Sequence, residues 1–322
     1  NAFSSKLISA TKAGALVLGS ASELAGLSAA DVAAAAQAAN GRGLTGKWVL
    51  PLQNTTQQPA QASLTNRAVR EQLFNASTLR AERGDSNDTR ATIARIAQIR
   101  AERAKLLGYS DYAAYVLDNQ MAKTPDAALK LLTDLVPAAT AKARGEAADM
   151  QKLIDQQRGG FKLAPWDWQY YSEQVRKASY DLDETQLKPY FELNRVLEDG
   201  VFFAANKLYG ITFTERKDIP VYQPDVRVFE VRDANGKPMA LFYYDPFKRD
   251  NKAGGAWTSS FVGQSGLLGT KPVVYNVENF TKPVPGQPAL LTFGEVTTMF
   301  HEFGHALHGM FSDVEYQTLA GT

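Results

Sequence analysis

The spacing of apolar residues is helical through most of the first half of the chain. From Thr11 to about Arg158, apolar positions recur three and four residues apart with charged residues between them, which is the pattern of amphipathic helices. It predicts helices over residues 29–39, 64–82, 88–107 and 125–157. Pro137 should kink or split the last of these, since proline removes a helix hydrogen bond.

Short polar signals mark where several of these helices begin and end. Ser28, with Asp31 three residues later, predicts a capped start for the alanine-rich helix, and Asn40-Gly41 predicts its end. Gly108 suits the position after the helix that ends near residue 107. Asp111 and Thr124 are side chains that favour the first position of a new helix.

Other stretches interrupt the helical pattern. Residues 47–50 predict a short strand that a proline stops, and residues 54–59 predict a polar loop. Gly159-Gly160 is the clearest break in the chain. After it, residues 189–209 predict one further long helix, closed by Gly210.

Strand patterns dominate only after residue 210. Residues 226–231 and 239–244 flank an Asn235-Gly236 step, which is a strong hairpin signal. Residues 272–277 predict another strand. We consider two interpretations of it: an ordinary core strand, or an exposed edge that pairs with an extended peptide.

The pattern as a whole predicts an α+β fold that is mainly α with a small β-sheet. We expect a helical lobe over residues 1–158, packed on a second lobe over residues 159–322 that contains the sheet. Residues 249–256 connect strands of the second lobe and carry charges and paired glycines. They are either a mobile loop on the substrate side or a plain solvated turn.

Composition excludes several classes of function. The formal net charge is +1, so neither nucleic acid nor an anionic membrane is an expected partner. There is no run of about 18 apolar residues, so we expect no membrane span. The chain contains no cysteine, which excludes thiolate sites and fits a cytoplasmic protein, although a periplasm would fit as well. We expect a monomer, and a chain that lacks residues at both ends.

All three histidines lie within eight residues of one another. Thr292 and Glu295 predict a capped helix that runs through them. His301 and His305 are one helical turn apart, so both rings project from one face and can share a tetrahedral zinc ion. Glu302 lies beside that face, where its carboxylate can serve as a general base. This spacing predicts zinc-dependent hydrolysis of amides.

The alternative is an ordinary helix, since this five-residue pattern also occurs by chance. Apolar residues surround the polar ones, and burying imidazoles without partners is costly, which favours the metal. Gly304 weakens a helix by about 1 kcal/mol relative to alanine, so we expect a neighbouring element to approach closely there. His308 is about 10 Å further along the axis than His301. We therefore expect it to support the site or the fold rather than bind zinc.

Residues 300–309 read FHEFGHALHG, and residues 279–283 read NFTKP. This stretch closely resembles the thimet-oligopeptidase-like zinc metallopeptidases of the M3 family. Other segments resemble its bacterial peptidyl-dipeptidase (dipeptidyl carboxypeptidase) branch, so the similarity covers nearly the whole chain. They are residues 54–59, 165–168, 188–193, 241–245, 248–252 and 254–257.

The resemblance implies a zincin-like catalytic lobe in which His301 and His305 bind one zinc ion and Glu302 is the catalytic base. It also implies a third ligand, a glutamate on a later helix, which we expect beyond Thr322; Glu315 follows the motif too soon. Two imidazoles alone should hold zinc weakly. We therefore expect little peptidase activity from this stretch by itself.

The implied function is release of C-terminal dipeptides from short peptides. An endo-acting oligopeptidase of the same family is the first alternative, and it would differ in where it cuts. A non-catalytic peptide-binding protein is the second. The presence of Glu302 argues against that second alternative.

Overall fold

The computed structural model describes residues 2–180 and 186–321. The chain divides into two compact units, one of Asn1–Leu27, Val49–Leu52 and Gln57–Asp181, the other of Ser28–Trp48, Gln53–Thr56 and Leu182–Thr322. Compact units are not by themselves independent domains. The expected division into lobes at residues 158 and 159 therefore stays a prediction.

Helices dominate the first half of the chain, as the apolar spacing predicts, and together with the strands they confirm the α+β class. Asn66, Asp111 and Thr124 each accept a backbone hydrogen bond at the start of a helix. The helices before residue 181 are α1 (Ala2–Ala13), α2 (Ala29–Asn40), α3 (Asn54–Ser63), α4 (Arg67–Thr78), α5 (Arg90–Leu106), α6 (Tyr112–Leu117), α7 (Pro125–Gln156) and α8 (Trp168–Tyr180).

Helix α3 corrects the prediction of a polar loop over residues 54–59. Ala60 and Gln61 are buried, and Gln61 Nε2 donates to the carbonyl oxygen of Arg70 at 2.9 Å. Pro59 lies inside the helix, where it removes one hydrogen bond. Burial of the residues after the proline therefore outweighs the local signal for a loop.

The sequence predicts a kink or a split at Pro137. Helix α7 is continuous through this residue, so the split is wrong, and the kink stays a prediction. The proline is exposed, and water can satisfy the carbonyl group that it leaves unpaired. The predicted break at Gly159-Gly160 is confirmed. The helix ends at Gln156, and Gly160 has a φ of +72°, a value that glycine adopts without strain.

The second half contains a five-stranded sheet in the order β3-β4-β5-β7-β6. Strands β5 and β7 are parallel, and the other neighbours are antiparallel. The predicted hairpin around Gly236 is confirmed. The strands are β3 (Thr212–Glu215), β4 (Arg227–Arg232), β5 (Pro238–Phe247), β6 (Trp257–Val262) and β7 (Val273–Phe280), and a separate pair is β1 (Leu16–Leu18) with β2 (Trp48–Leu50).

The order of the strands decides between the two interpretations of residues 272–277. Strand β7 lies between β5 and β6, so the core-strand interpretation is confirmed. The edge next to it is β6, which the sequence analysis did not predict. Its centre is Thr258-Ser259-Ser260, and a polar run of this kind gives a weak strand signal.

The core of the second unit lies between this sheet and helix α11 (Phe293–Met310). Phe303 of α11 packs edge-on against Phe242 of β5, with ring centroids 5.4 Å apart. The helix predicted over residues 189–209 begins later, at Leu193, and ends at Gly210 as predicted. It consists of α9 (Leu193–Arg195), a π-helical segment (Val196–Phe202) and α10 (Phe203–Tyr209).

Within the described part of the chain, we find no helix that is long and apolar enough to cross a membrane.

Candidate active site

Helix α11 carries the candidate chemistry, and its start is defined by the predicted capping box. The backbone N–H of Thr292 donates to Glu295 Oε2 at 2.7 Å, and the N–H of Glu295 donates to Thr292 Oγ1 at 3.2 Å. These bonds satisfy backbone donors that a helix start leaves unpaired. The helix then runs without a break to Met310.

The rings of His301 and His305 converge. Their Nε2 atoms are 3.2 Å apart, and both side chains are exposed. Two nitrogens that bind one tetrahedral zinc ion at its usual bond length lie about 3.3 Å apart. The separation of the two Nε2 atoms is therefore close to the one that two ligands of a single zinc ion would need.

No group of three or more metal-binding side chains occurs among residues 2–180 and 186–321. Glu315, which the sequence excluded as the third ligand, is placed beside the loop after β6. Its carbonyl oxygen accepts hydrogen bonds from Leu267 N and Ser265 Oγ, each at 3.0 Å. Among the described residues, His301 and His305 thus remain a candidate pair that offers two nitrogen donors.

His308 is engaged elsewhere. Its Nε2 lies 3.1 Å from the carbonyl oxygen of Gly321. Gly321 is held by a second hydrogen bond as well: its backbone N–H donates to the hydroxyl of Ser312 at 2.9 Å. His308 therefore links the end of the helix to the segment that follows it.

Glu302 differs from its histidine neighbours because it is buried, with 8% of its surface exposed. It faces the sheet, where two side chains contact it. Thr258 Oγ1 of β6 lies 3.1 Å from Glu302 Oε2 and 2.8 Å from the Glu302 carbonyl oxygen. Asn276 Nδ2 of β7 donates to the same carbonyl oxygen at 2.8 Å.

The expectation of a close approach at Gly304 is wrong. A Cβ at residue 304 would meet no described atom within 4 Å, whereas one at Gly309 would lie 3.2 Å from Val274 Cγ2. The glycine that lies close to the sheet is therefore Gly309, five residues after Gly304. Gly304 instead lies on the exposed face between the two histidines.

A second carboxyl group, that of Glu278 on β7, is almost fully buried, with 1% of its surface exposed. Neither of its oxygens has a hydrogen-bond partner among the described residues. Burial, with a smaller contribution from the charge of Glu302, raises the pKa of Glu278 to about 8. Glu278 therefore holds its proton at neutral pH.

The loop over residues 249–256 is attached to the sheet through Asp245 at the end of β5. Arg249 donates two hydrogen bonds to this carboxylate, at 2.8 and 2.7 Å, and Lys252 Nζ donates one at 2.9 Å. Burial alone would raise the pKa of Asp245, but the bonds from Arg249 and Lys252 lower it. Asn279 Nδ2 holds the far end of the loop through the carbonyl oxygens of Ala253 and Gly255. The loop thus places the start of β6 beside α11.

Sequence reasoning missed Thr258 and Asn276. Both are ordinary polar residues in strands, 44 and 26 positions before Glu302. The available signal was a polar residue at an inward position of a strand. It was lost for Thr258 because β6 was not predicted, whereas Asn276 lies in the strand predicted over residues 272–277 and could have been noticed there.

The chain is similar to known proteins over a range that includes helix α11. A family model described as "Peptidase family M3" matches residues 60–322. The chain is 56% identical over 320 residues to a dipeptidyl carboxypeptidase of Escherichia coli K12. This match covers 99% of this chain and 47% of that protein. It is 55% identical over the same length to the dipeptidyl carboxypeptidase of Salmonella typhimurium LT2, again 99% of this chain and 47% of that protein.

A more distant relative is oligopeptidase A of Escherichia coli K12, at 38% identity over 329 residues, 100% of this chain and 48% of that protein. The chain therefore spans about half the length of the curated relatives it matches.

Proposed function

The chain belongs to peptidase family M3, and on that premise we propose that the protein hydrolyses peptide bonds in short peptides and releases C-terminal dipeptides. His301 and His305 would bind one zinc ion, and Glu302 would be the general base. One observation carries this proposal: two exposed imidazoles converge to 3.2 Å beside a buried carboxylate on the same helix.

Zinc bound at this pair would supply a Lewis acid that polarises a carbonyl group and lowers the pKa of water. Glu302 accepts a proton from the attacking water as a bond forms between the water oxygen and the peptide carbon. The carbon–nitrogen bond then breaks, and Glu302 passes the proton to the departing amine nitrogen.

Strand β6 is suited to hold the peptide. It is the last strand of the sheet on the side next to α11, and no other described strand pairs with its outer edge. Unpaired N–H and carbonyl groups on a sheet edge bind an extended chain through its backbone and accept many side chains. This fits a peptidase with broad substrates.

The dipeptide product is supported by the higher identity to the two dipeptidyl carboxypeptidases, 56% and 55%, than to oligopeptidase A, 38%. The oligopeptidase A relatives keep an endo-acting enzyme as the second candidate. We further propose a monomer located in the cytoplasm.

The test is mass spectrometry of an oligopeptide with a blocked N-terminus, incubated with the full-length protein in the presence and absence of a chelator. We expect C-terminal dipeptides, lost on chelation and restored by zinc. Glu302→Gln should abolish release while the protein keeps its metal. Internal cuts would assign the protein to the endo-acting candidate, and an intact peptide would contradict both.

A further inference from the structure

We propose that Thr258 is a positioning residue for Glu302: its hydroxyl holds one oxygen of the carboxylate and leaves the other for the reaction. This inference rests on the proposed role of Glu302 as general base. It concerns residues of this chain only. Thr258 itself does not touch the peptide bond that is cleaved.

The register of the sheet brings the participants together. Thr258 of β6 lies directly opposite Asn276 of β7 in an antiparallel pair. Directly opposed residues project on the same face of a sheet. That face is covered by α11, because Asn276 contacts Glu302 and Val274, two residues earlier, contacts Gly309. The hydroxyl and the amide therefore converge on Glu302.

The two hydrogens of the Asn276 amide determine which atoms it donates to. The side-chain nitrogen of Asn276 has two hydrogens and two neighbours, the Glu302 carbonyl oxygen at 2.8 Å and Thr258 Oγ1 at 2.5 Å. The carbonyl oxygen can only accept, so the amide must point its nitrogen towards it. Asn276 thus donates both to the Glu302 backbone and to the Thr258 hydroxyl.

The Thr258 hydroxyl accepts one of these bonds and has a single hydrogen to donate. Two acceptors lie within reach, the Glu302 carbonyl oxygen and Glu302 Oε2. The carbonyl oxygen is the nearer of the two, at 2.8 Å against 3.1 Å, and it can accept a second bond. A carboxylate is nevertheless the stronger acceptor. On that ground we assign the hydrogen to Oε2, so that donation runs from Asn276 through Thr258 to the carboxylate.

This arrangement divides the carboxylate into two unequal oxygens. Thr258 is the one hydrogen-bond donor to it among the described residues, and Oε1 accepts no described bond. Oε1 is also absent from the buried atoms that lack a partner, so it is not fully enclosed. One oxygen is thus held, and the other is left open to accept a proton.

The position of Thr258 has a functional consequence. Its strand is the sheet edge that we propose to hold the peptide. The same strand would therefore place the substrate and orient the base, so that one strand backbone sets the position of both. A catalytic group held within a fraction of an ångström of its working position is what efficient proton transfer requires.

The experiment compares Thr258→Val, which has the same shape without the hydroxyl, with Thr258→Ser, which keeps the hydroxyl. Thr214→Val makes the same chemical change at an exposed position on β3, the opposite edge of the sheet. Each is made in the full-length protein. Crystal structures give the position of the Glu302 side chain, steady-state kinetics give kcat and KM, and metal analysis gives zinc content.

In Thr258→Val we expect the Glu302 carboxylate to occupy more than one position. We expect kcat to fall about tenfold. KM and zinc content should stay within about twofold of the wild-type values. Thr258→Ser should restore both the position and kcat, and Thr214→Val should change neither. Thr258→Ala, which also removes the hydroxyl, replaces the valine variant if that variant does not fold.

An unchanged Glu302 position in Thr258→Val would overturn the proposal, whatever happens to the rate. So would a loss of kcat that serine does not restore. The crystallographic readout does not depend on turnover. A wild-type protein that cleaves no peptide would refute the general-base role of Glu302, while the density would still decide whether Thr258 holds its side chain.

Discussion

At the residue scale, the carboxyl groups of Glu302 and Glu278 differ in their hydrogen-bond partners. Glu302 is contacted by a hydroxyl group and keeps one oxygen open. Glu278 is enclosed, and neither of its oxygens is paired among the described residues. Burial without partners favours the neutral form of a carboxyl group. Glu278 is therefore held in its protonated form, whereas Glu302 keeps the open oxygen that its proposed role as general base requires.

The stability of the protein should therefore depend on pH through Glu278. The pKa of this group is raised from an ordinary value of 4.5 to about 8 by folding, so the folded state keeps a proton that the unfolded state releases between these values. The free energy of unfolding should then fall as the pH rises from 4.5 to 8, by at most about 1.4 kcal/mol per pH unit. Below that window Glu278 adds no pH dependence, because the folded and unfolded states both hold the proton.

Glu278→Gln removes this proton. Its free energy of unfolding, measured by urea denaturation at a series of pH values, should fall less steeply than that of the wild type from pH 5 to 8. Glu82→Gln changes an exposed carboxylate and should follow the wild-type curve. Parallel curves for wild type and Glu278→Gln would show that Glu278 does not hold the proton.

At the element scale, α11 combines an apolar face with a polar one. Phe303, Ala306 and Met310 are buried against the sheet, and His301 and His305 are exposed. A helix of this kind is held by its apolar face, so its polar face can be used for chemistry. Two of the three glycines on this helix, Gly304 and Gly309, lie in different surroundings.

Gly304→Ala should raise the free energy of unfolding by about 1 kcal/mol, because alanine is the better helix former and its Cβ would meet no described atom. Gly309→Ala makes the same change where the Cβ would lie 3.2 Å from Val274 Cγ2, so it should gain less or lose stability. Chemical denaturation of the two variants gives the comparison. A larger gain for Gly309→Ala would contradict the described packing of α11 on β7.

At the scale of the whole molecule, a metal ion that binds only the folded state stabilises that state by mass action. His301 and His305 lie on helix α11, which packs on the sheet. Unfolding of the chain removes this helix and with it the arrangement of the two rings. Zinc binding should therefore be visible as a change in global stability.

Zinc added to the chelator-treated full-length protein should raise its thermal midpoint, by the equivalent of about 2.7 kcal/mol when free zinc is a hundredfold above the Kd. His301→Ala and His305→Ala should lose most of this response. His308→Ala is the matched control and should keep it, because His308 contacts Gly321 instead. Equal responses from the three variants would contradict the assignment of the ligands.

Much of the fold and part of the candidate site followed from the sequence. Local signals determined the helix ends at Gly108 and Gly210, the hairpin at Gly236 and the capping box of α11, because each depends on residues a few positions apart. The spacing of His301 and His305 predicted the convergence of their rings for the same reason, since one helical turn sets it.

Contacts between distant residues were decided only by the tertiary structure. Helix α3 forms over a predicted loop because Ala60 and Gln61 are buried, and β7 is an inner strand because β6 pairs with it. The contact of Thr258 with Glu302 likewise depends on the strand order and register. No local pattern encodes these contacts, because the free energy that selects them comes from burial and hydrogen bonds between segments far apart in the chain.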